Sequence, residues 1–562
     1  VADSKYVIGL DYGTNSVRAL IVEVATGAEI SSFVWNYEHG EAGILLDKND
    51  PELARQHPAD YVKGIEVSIL GAIQAAREKK GFDCRNVIGV GVDTTGSTPM
   101  PIDAEGVALG MKSEFANDLG AMAWLWKDHT GYAEANQFTE AAEKTRPQYL
   151  AKCGGRYSSE WFWSKILRCA RAYPKAFDAA YTWVEIADWI PAVLAGTTHP
   201  SKLKRGICAA GHKAFYHKDW GGYPDAEFVG SLDPKLKRVR QSLPEKTYNV
   251  SEAAGNLTKE WAGKLGLPEG IPIAIGAFDA HLGAVGSGIG DGTFVKIIGT
   301  STCDIMVSSM KDKLADIPGL CGIVPESVLP GYYGLEAGQS AVGDIFNWFV
   351  NVIKPGGEEK LGHEQLTKQA EGMKAGQSGL LTLDWHNGNR TVLVDQRLTG
   401  LTLGMNLHTT PAQIYRSLIE ATAYGARVII ERFEKYGVSV KRVVNCGGIA
   451  ARNPLAMQIY ADVFNRPVMI TPTLQTCALG SAIAAAVVAG KGKGGYASFD
   501  EAIPKMAGAS GKTYTPIAAS VAVYEKLFGL YKKLHDSFGV AGHKEDISGV
   551  MKDLLNIRDA AR

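Results

Sequence analysis

The sequence predicts an α/β protein with two related domains facing each other across a cleft. Short apolar, β-branched runs of strand length alternate with longer segments of helical periodicity along the 562 residues. A short apolar strand, a Gly-Thr turn and a returning apolar strand occur near the start, at 6–24, and again at 294–308. The repeat points to a duplicated architecture.

The first copy reads YVIGLDYGTNSVR from position 6. Residues 6–10 make a buried strand, Asp11 stands at its end, 13–16 turn the chain, and 17–24 return beside it. Gly13 exposes backbone N–H groups, and Thr14 and Ser16 add hydroxyls, a set that suits phosphate oxygens. A carboxylate at Asp11 could hold hydrated Mg²⁺ beside them. Alone, the stretch reads equally well as an ordinary hairpin with a polar turn. The second copy, FVKIIGTSTCDIMVS, tips the balance towards two hairpins facing one nucleotide. This layout resembles the ATPase superfamily of actin, the heat-shock chaperone ATPases and the sugar kinases. The resemblance implies two RNase H-like domains that close over Mg-ATP, with ATP and sugar in the interdomain cleft.

Composition narrows the partners. A formal net charge of −1 provides no field to attract nucleic acid or an anionic membrane, so neither is expected. The apolar run at 478–490 is too short to span a bilayer. The N-terminus, VADSKYV, lacks the pattern of a secretory signal. The eight cysteines are scattered with no C-x-x-C spacing, which predicts reduced core residues in a cytoplasmic protein.

Further along, residues 58–79 predict a helix, with Val62, Ile65, Ile69, Ile73 and Ala76 on one stripe and Pro58 in the first turn. A strand over 86–92 leads into Asp93-Thr94-Thr95-Gly96-Ser97, a loop at a carboxyl strand end where α/β sheets meet ligands. Ser97 there is either a turn residue or a substrate contact. Trp124-Leu125-Trp126-Lys127-Asp128-His129 reads as a core tryptophan pair before a solvated turn, or as an indole and charges gripping a polyol. A helix is expected over 157–171 and another over 188–194, ending at Gly196. Lys213, with His212 beside it, lies in a polar, aromatic segment and reads as a surface lysine unless the fold brings it to the cleft.

A strand over 272–275 runs into GAFDAHLG. Asp279 follows it among small residues that leave room for a substrate, so it is either a general base or a helix cap. The domain boundary is placed just before it, giving domains 1–275 and 276–562. Glu336 follows another apolar segment, where an acid is either paired or functional. Thr410-Pro411 opens a long helix to Glu434. A strand over 443–445 then meets Cys446-Gly447-Gly448, whose glycines allow close approach by a flat ligand. Residues 466–470 predict a strand, 476–490 a small-residue helix, and the charged tail after Tyr514 a helix on the surface of one domain.

Other motifs fail. Gly511-Lys512-Thr513 would need a glycine at 506, which is Met506. The glycines at 283–292 do not fit a dinucleotide fingerprint, and no histidine spacing suits zinc.

Together these stretches resemble the FGGY carbohydrate kinase family over nearly the whole chain. LDYGTNSVRA resembles its first phosphate loop, which assigns Asp11 to Mg²⁺ and Gly13, Thr14 and Arg18 to phosphates. IIGTST resembles the second, giving Gly299 and Thr300. CGGIAARNPLAMQIYADVFNRPV resembles the adenosine-binding segment, giving Gly447, Gly448 and Asn453. GAFDAHLGAVG resembles the catalytic stretch, with Asp279 as base and beside the metal; most members have Asp-Gln where this chain has Asp-Ala-His. VDTTGSTPMPID, LWKDHT, SSEW and AFDAH look most like the branch that phosphorylates L-ribulose in L-arabinose breakdown. That resemblance implies a sugar site lined by Ser97, Trp126, Asp128, Lys213, Asp279 and Glu336. It also implies ATP and Mg²⁺ as cofactors, a small-molecule sugar substrate, and a homodimer. Xylulose, glycerol or pentitol kinases of the same family, and an actin-like ATPase without a sugar site, are the alternatives.

Overall fold

In a computed structural model, which describes residues 4–79, 81–311, 313–357, 361–508 and 511–561, two seven-stranded sheets organise the chain. The first contains Tyr6–Tyr12 (β1), Ser16–Glu23 (β2), Glu29–Asn36 (β3), Val87–Thr94 (β4), Ala253–Asn256 (β5), Pro272–Ala274 (β6) and Ala277–Phe278 (β7). The strand order is β5-β6-β4-β1-β2-β3, with β7 also beside β4. The second contains Thr293–Ile298 (β8), Thr302–Ser309 (β9), Gly322–Pro325 (β10), Tyr332–Ala337 (β11), Arg442–Cys446 (β12), Val468–Ile470 (β13) and Thr513–Tyr514 (β14). Its order is β10-β11-β9-β8-β12-β13-β14. The two cores, β3-β2-β1-β4-β6 and β11-β9-β8-β12-β13, have the same pattern: two antiparallel joins followed by two parallel ones. The repeat of Gly-Thr hairpins is thus a repeat of whole sheets.

Eight helices position the site: Pro58–Arg77 (α1), Ile207–Lys213 (α2), Asp279–Gly286 (α3), Pro411–Lys435 (α4), Gly448–Arg452 (α5), Pro454–Phe464 (α6), Thr476–Ala489 (α7) and Ala518–Gly539 (α8). α1 covers one face of the first sheet, burying Ile65, Ile69, Ile73 and Ala76. α4 opens with a capping box between Thr410 and Gln413. Between β4 and β5 lies a helical insertion with its own aromatic core around Trp163, Trp183 and Phe215.

α7 joins the halves. It lies between β13 and β14 of the second sheet in the chain, yet packs on the other face of the first. Contact is backbone to backbone: a Cβ at Gly9 would sit 1.8 Å from the Ala478 carbonyl oxygen, and one at Gly91 1.9 Å from that of Ser481. On its other side α7 crosses α3, where a Cβ at Gly480 would sit 1.8 Å from the Leu282 carbonyl oxygen. Glycine is required at these positions because a side chain would push α7 off the sheet at Gly9 or Gly91, or off α3 at Gly480.

Two expectations change. The helix expected over 157–171 runs instead over Phe162–Ala172. The charged tail is not confined to the surface: α8 buries Tyr524, Leu527, Phe528, Tyr531 and Leu534, at helical spacing, in the core of the second half. All eight cysteines are free thiols. Among the described residues no helix is long and apolar enough to cross a membrane.

Candidate active site

Three carboxylates meet where β1, β4 and β7 end. The parallel register sets Asp11 opposite Asp93, and Ala277 opposite Asp93, so β7 delivers Asp279, the first residue of α3, to the same sheet edge. Asp11 accepts a hydrogen bond from Arg18 across the hairpin at 3.1 Å. Asp93 Oδ2 accepts from Ser481 of α7 at 2.6 Å, while its Oδ1 has no partner among the described residues. Asp279 Oδ1 accepts the Ala280 N–H at 2.6 Å. Burial raises the pKa of Asp11, and Arg18 only partly offsets it. Burial and the charge of Asp11 push Asp93 well above the ordinary value. Burial, with Asp11 and Glu336 adding to it, brings Asp279 up to about 7.

The Gly-Thr turns flank this edge. Gly13 N–H closes the first on the Ser16 carbonyl at 2.9 Å, and Gly299 N–H the second on the Ser301 carbonyl at 3.0 Å. Trp126 donates its indole N–H to Thr14 Oγ1 at 3.0 Å, tying the candidate sugar wall to the candidate phosphate turn. Trp126 faces a cleft of about 790 Å³, also lined by Thr300, Ser301, Glu336 and Arg390. The tryptophan pair is split: Trp124 is fully buried under the Arg55 guanidinium, and Trp126 alone reaches the cleft.

Lys213 is no surface lysine. It ends α2 and donates to both oxygens of Glu336 on β11, at 2.9 and 3.1 Å. His212 Nδ1 lies 3.2 Å from the same carboxylate and His281 Nε2 3.7 Å from it. Burial alone would raise the Glu336 pKa, but Lys213 and the two imidazoles outweigh it and hold the carboxyl well below its usual range.

Other candidates lie deeper. Asp128 is fully buried in an ion pair with Arg55 and accepts the Ala54 N–H at 2.8 Å. Ser97 is buried with its hydroxyl on Glu185, and its carbonyl accepts from Lys165 Nζ at 2.8 Å. Both side chains are therefore occupied by protein partners. On the nucleotide side, Gly447 adopts φ +94°, and a Cβ there would sit 2.5 Å from the Ile298 carbonyl oxygen. Gly448 has open space around it. Asn453 caps α6 by accepting the Ala456 N–H at 3.0 Å.

Sequence reasoning passed over Asp93, Lys165 and Arg390. Asp93 carried the same signal as Asp11, an acid closing an apolar strand. Lys165 binds the carbonyls of Ser97, Trp124 and Leu125, contacts between distant segments that no local pattern announces.

The N-terminal-domain profile of the FGGY family of carbohydrate kinases matches residues 6–286, and the C-terminal-domain profile matches 294–489. Curated proteins named ribulokinase resemble the chain throughout. The one from Bacillus licheniformis is 41% identical over 97% of this chain and 98% of its own length. That from Geobacillus thermodenitrificans is 42% identical over 99% and 98%. Among solved structures, xylulose kinase from Rhodospirillum rubrum superposes with a TM-score of 0.75 at 23% identity, covering 95% of this chain and 99% of that one. Plasmodium falciparum glycerol kinase with ADP gives 0.75 at 15%, covering 95% and 98%. With both profiles matched in order along a duplicated α/β fold, the chain belongs to the FGGY family of carbohydrate kinases.

Proposed function

We propose that this protein transfers the γ-phosphoryl group of ATP to O5 of L-ribulose, releasing ADP and ribulose 5-phosphate. The observation that carries this reading is the near-full-length similarity, at about 40% identity, to proteins named ribulokinase. The solved xylulose kinase stands at 23% and the glycerol kinase at 15%.

Asp279 is the base. Its carboxylate takes the proton of the O5 hydroxyl as that oxygen attacks phosphorus, and the bond from phosphorus to the ADP oxygen breaks. A raised pKa suits the task, since the group both ionises near neutrality and binds a proton well there. Thr14 and Thr300 receive the phosphates through backbone and hydroxyl donors, while the Gly13 and Gly299 N–H groups, bonded within their turns, shape the cradles, and Arg18 stands beside the first turn. Gly447, Gly448 and Asn453 border the adenosine. Trp126, Lys213 and Glu336 orient the sugar; Asp128 and Ser97 act from behind, by fixing the segments that carry Trp126 and the loop after β4. The residues present suit Mg²⁺. Asp11 and Asp93 are oxygen donors close together, one oxygen of Asp93 lacks a hydrogen-bond donor among the described residues, and a divalent cation would offset the burial that raises both and the Asp11 charge that raises Asp93 further. Bound there, Mg²⁺ would neutralise phosphate charge. Cys477, the third member of that cluster, is a poor ligand for so hard an ion.

ADP release with Mg-ATP and L-ribulose, D-ribulose, D-xylulose, ribitol or glycerol tests the reading. Strong turnover on L-ribulose alone supports it. Preference for xylulose or glycerol would replace the substrate, and sugar-independent hydrolysis would replace the activity.

A further inference from the structure

Two residues beyond the base, on the first turn of α3, His281 is 2 % exposed, and neither ring nitrogen has a protein partner among the described residues. Among the buried polar atoms without partners, His281 stands out because both of its ring nitrogens are left open, which leaves room for a water or a ligand to supply the hydrogen bonds. His281 packs against the His212 ring at 4.4 Å between centroids and against Phe278 at 5.9 Å. Its Nε2 lies 3.7 Å from Glu336 Oε2. That is too long for a direct hydrogen bond, but an oxygen could sit about 2.8 Å from both atoms. Such an oxygen must accept from the imidazole N–H and donate to the carboxylate. A hydroxyl does both; a carbonyl cannot donate.

A metal is the competing occupant, because His212, His281 and Glu336 have converging ligand atoms. Lys213 argues against it. Its ammonium already holds both oxygens of Glu336, at 2.9 and 3.1 Å, so a second cation would face a full positive charge. The imidazole is also kept neutral: burial brings its pKa down to about 4, leaving one N–H to give. Glu336 itself faces the sugar cleft.

We propose that His281 and Glu336 together read one sugar hydroxyl, other than the one phosphorylated, by accepting its proton into a hydrogen bond on one side and donating to its oxygen on the other. This makes His281 a specificity-determining residue, and it rests on the ketopentose reading given above.

The test pairs substrate and enzyme changes. Wild-type protein is assayed on L-ribulose and on its 1-, 3- and 4-deoxy analogues, beside His281→Leu and His281→Gln. One deoxy analogue should lose about 30-fold or more in kcat/KM with the wild type and less than about threefold with His281→Leu, while His281→Gln, which keeps a donor, recovers part of the discrimination. Equal sensitivity to every analogue in wild type and His281→Leu would overturn the proposal. A second measurement needs no folded variant of full activity: in ¹⁵N-histidine-labelled wild type, L-ribulose without ATP should shift the His281 ring resonance, and the critical deoxy analogue should not. Calorimetric binding of L-ribulose without that shift would overturn the proposal, leaving a bridging water alone between the two side chains. Wild type that neither binds nor turns over L-ribulose would overturn the substrate reading instead, before any variant is made.

Discussion

In the first half Asp11 closes β1 and faces Asp93 at the end of β4; in the second half the same two sheet positions hold Ile297 and Cys446. The hairpins diverge one strand further on. Arg18 of β2 reaches Asp11 at a partly exposed edge, with the arginine side chain 33% and the aspartate 16% accessible. In the second hairpin the residue opposite Ile297 is Cys303, and the next one, Asp304 of β9, pairs with Lys296 in a fully enclosed ion pair, Lys296 donating also to Thr302 and Gln339. Duplication supplied two related hairpins, the first turn one residue longer than the second. The first holds its charges at a partly exposed edge; the second holds them inside the sheet, where nothing but the protein touches them.

The largest effect lies at the junction between the halves. Asp279→Asn should lower kcat by about 1,000-fold while calorimetric affinity for L-ribulose stays within about threefold. A variant keeping more than a tenth of its activity would remove Asp279 from the role of base. Exchanging equivalent positions sharpens the contrast. Asp11→Asn should lower kcat by about 100-fold and raise the Mg²⁺ concentration needed for half-maximal rate. Ile297→Val, at the matching site, should change kcat by less than about twofold, because a methyl group near the sheet end touches only packing.

The ion pairs separate in the opposite sense. Lys296→Met strands the enclosed Asp304 charge and should cost about 3–5 kcal/mol in urea unfolding. Arg18→Met, at a solvated edge, should cost under about 1 kcal/mol and show itself as a raised KM for ATP. Comparable stability losses for the two variants would break the comparison. Glycine exchanges come next. Gly447→Ala is strained by its positive φ and should lose about 1–3 kcal/mol, whereas at Gly13 a Cβ meets nothing nearer than the Ser16 carbonyl oxygen at 3.4 Å, so Gly13→Ala should melt like wild type.

The smallest effect is one of pH. As the proposed base, Asp279 acts only when ionised, so kcat/KM should rise as pH passes through about 7 and then level off. Its pKa is raised from the ordinary 3.8, so its stabilising contribution is complete below that value and lost as pH rises through about 7. Asp279→Asn escapes that loss, and its melting temperature should exceed that of wild type at pH 8, with the gap closing towards pH 4.

Both Gly-Thr hairpins, the glycine pair before α5 and the acid after β6 are legible in the sequence because each is a continuous stretch whose strand, turn and helix signals are local. Lys213 and Glu336 were legible only as alternatives, since 123 residues separate them and the fold alone brings them to 2.9 Å. Asp128 shows the limit most clearly. Its neighbours suggested a sugar grip, yet the side chain is spent on Arg55, and the pairing of a strand near residue 55 with one near 124 is not written in either segment. The depth of α8 escaped notice for a different reason: its charges are evenly mixed with its apolar stripe, and charge content says little about which face is covered.

The glycine seam under α7 also has a mechanical meaning. Main chain rests on main chain at Gly9, Gly91 and Gly480, with no layer of side chains to slide or repack. Such a joint leaves no room for helix and sheet to approach more closely. Ser481 lies in this seam and holds Asp93 at 2.6 Å. The helix seated on those glycines is thus the one that fixes Asp93, so a side chain added at Gly91 would displace the carboxylate edge along with the packing.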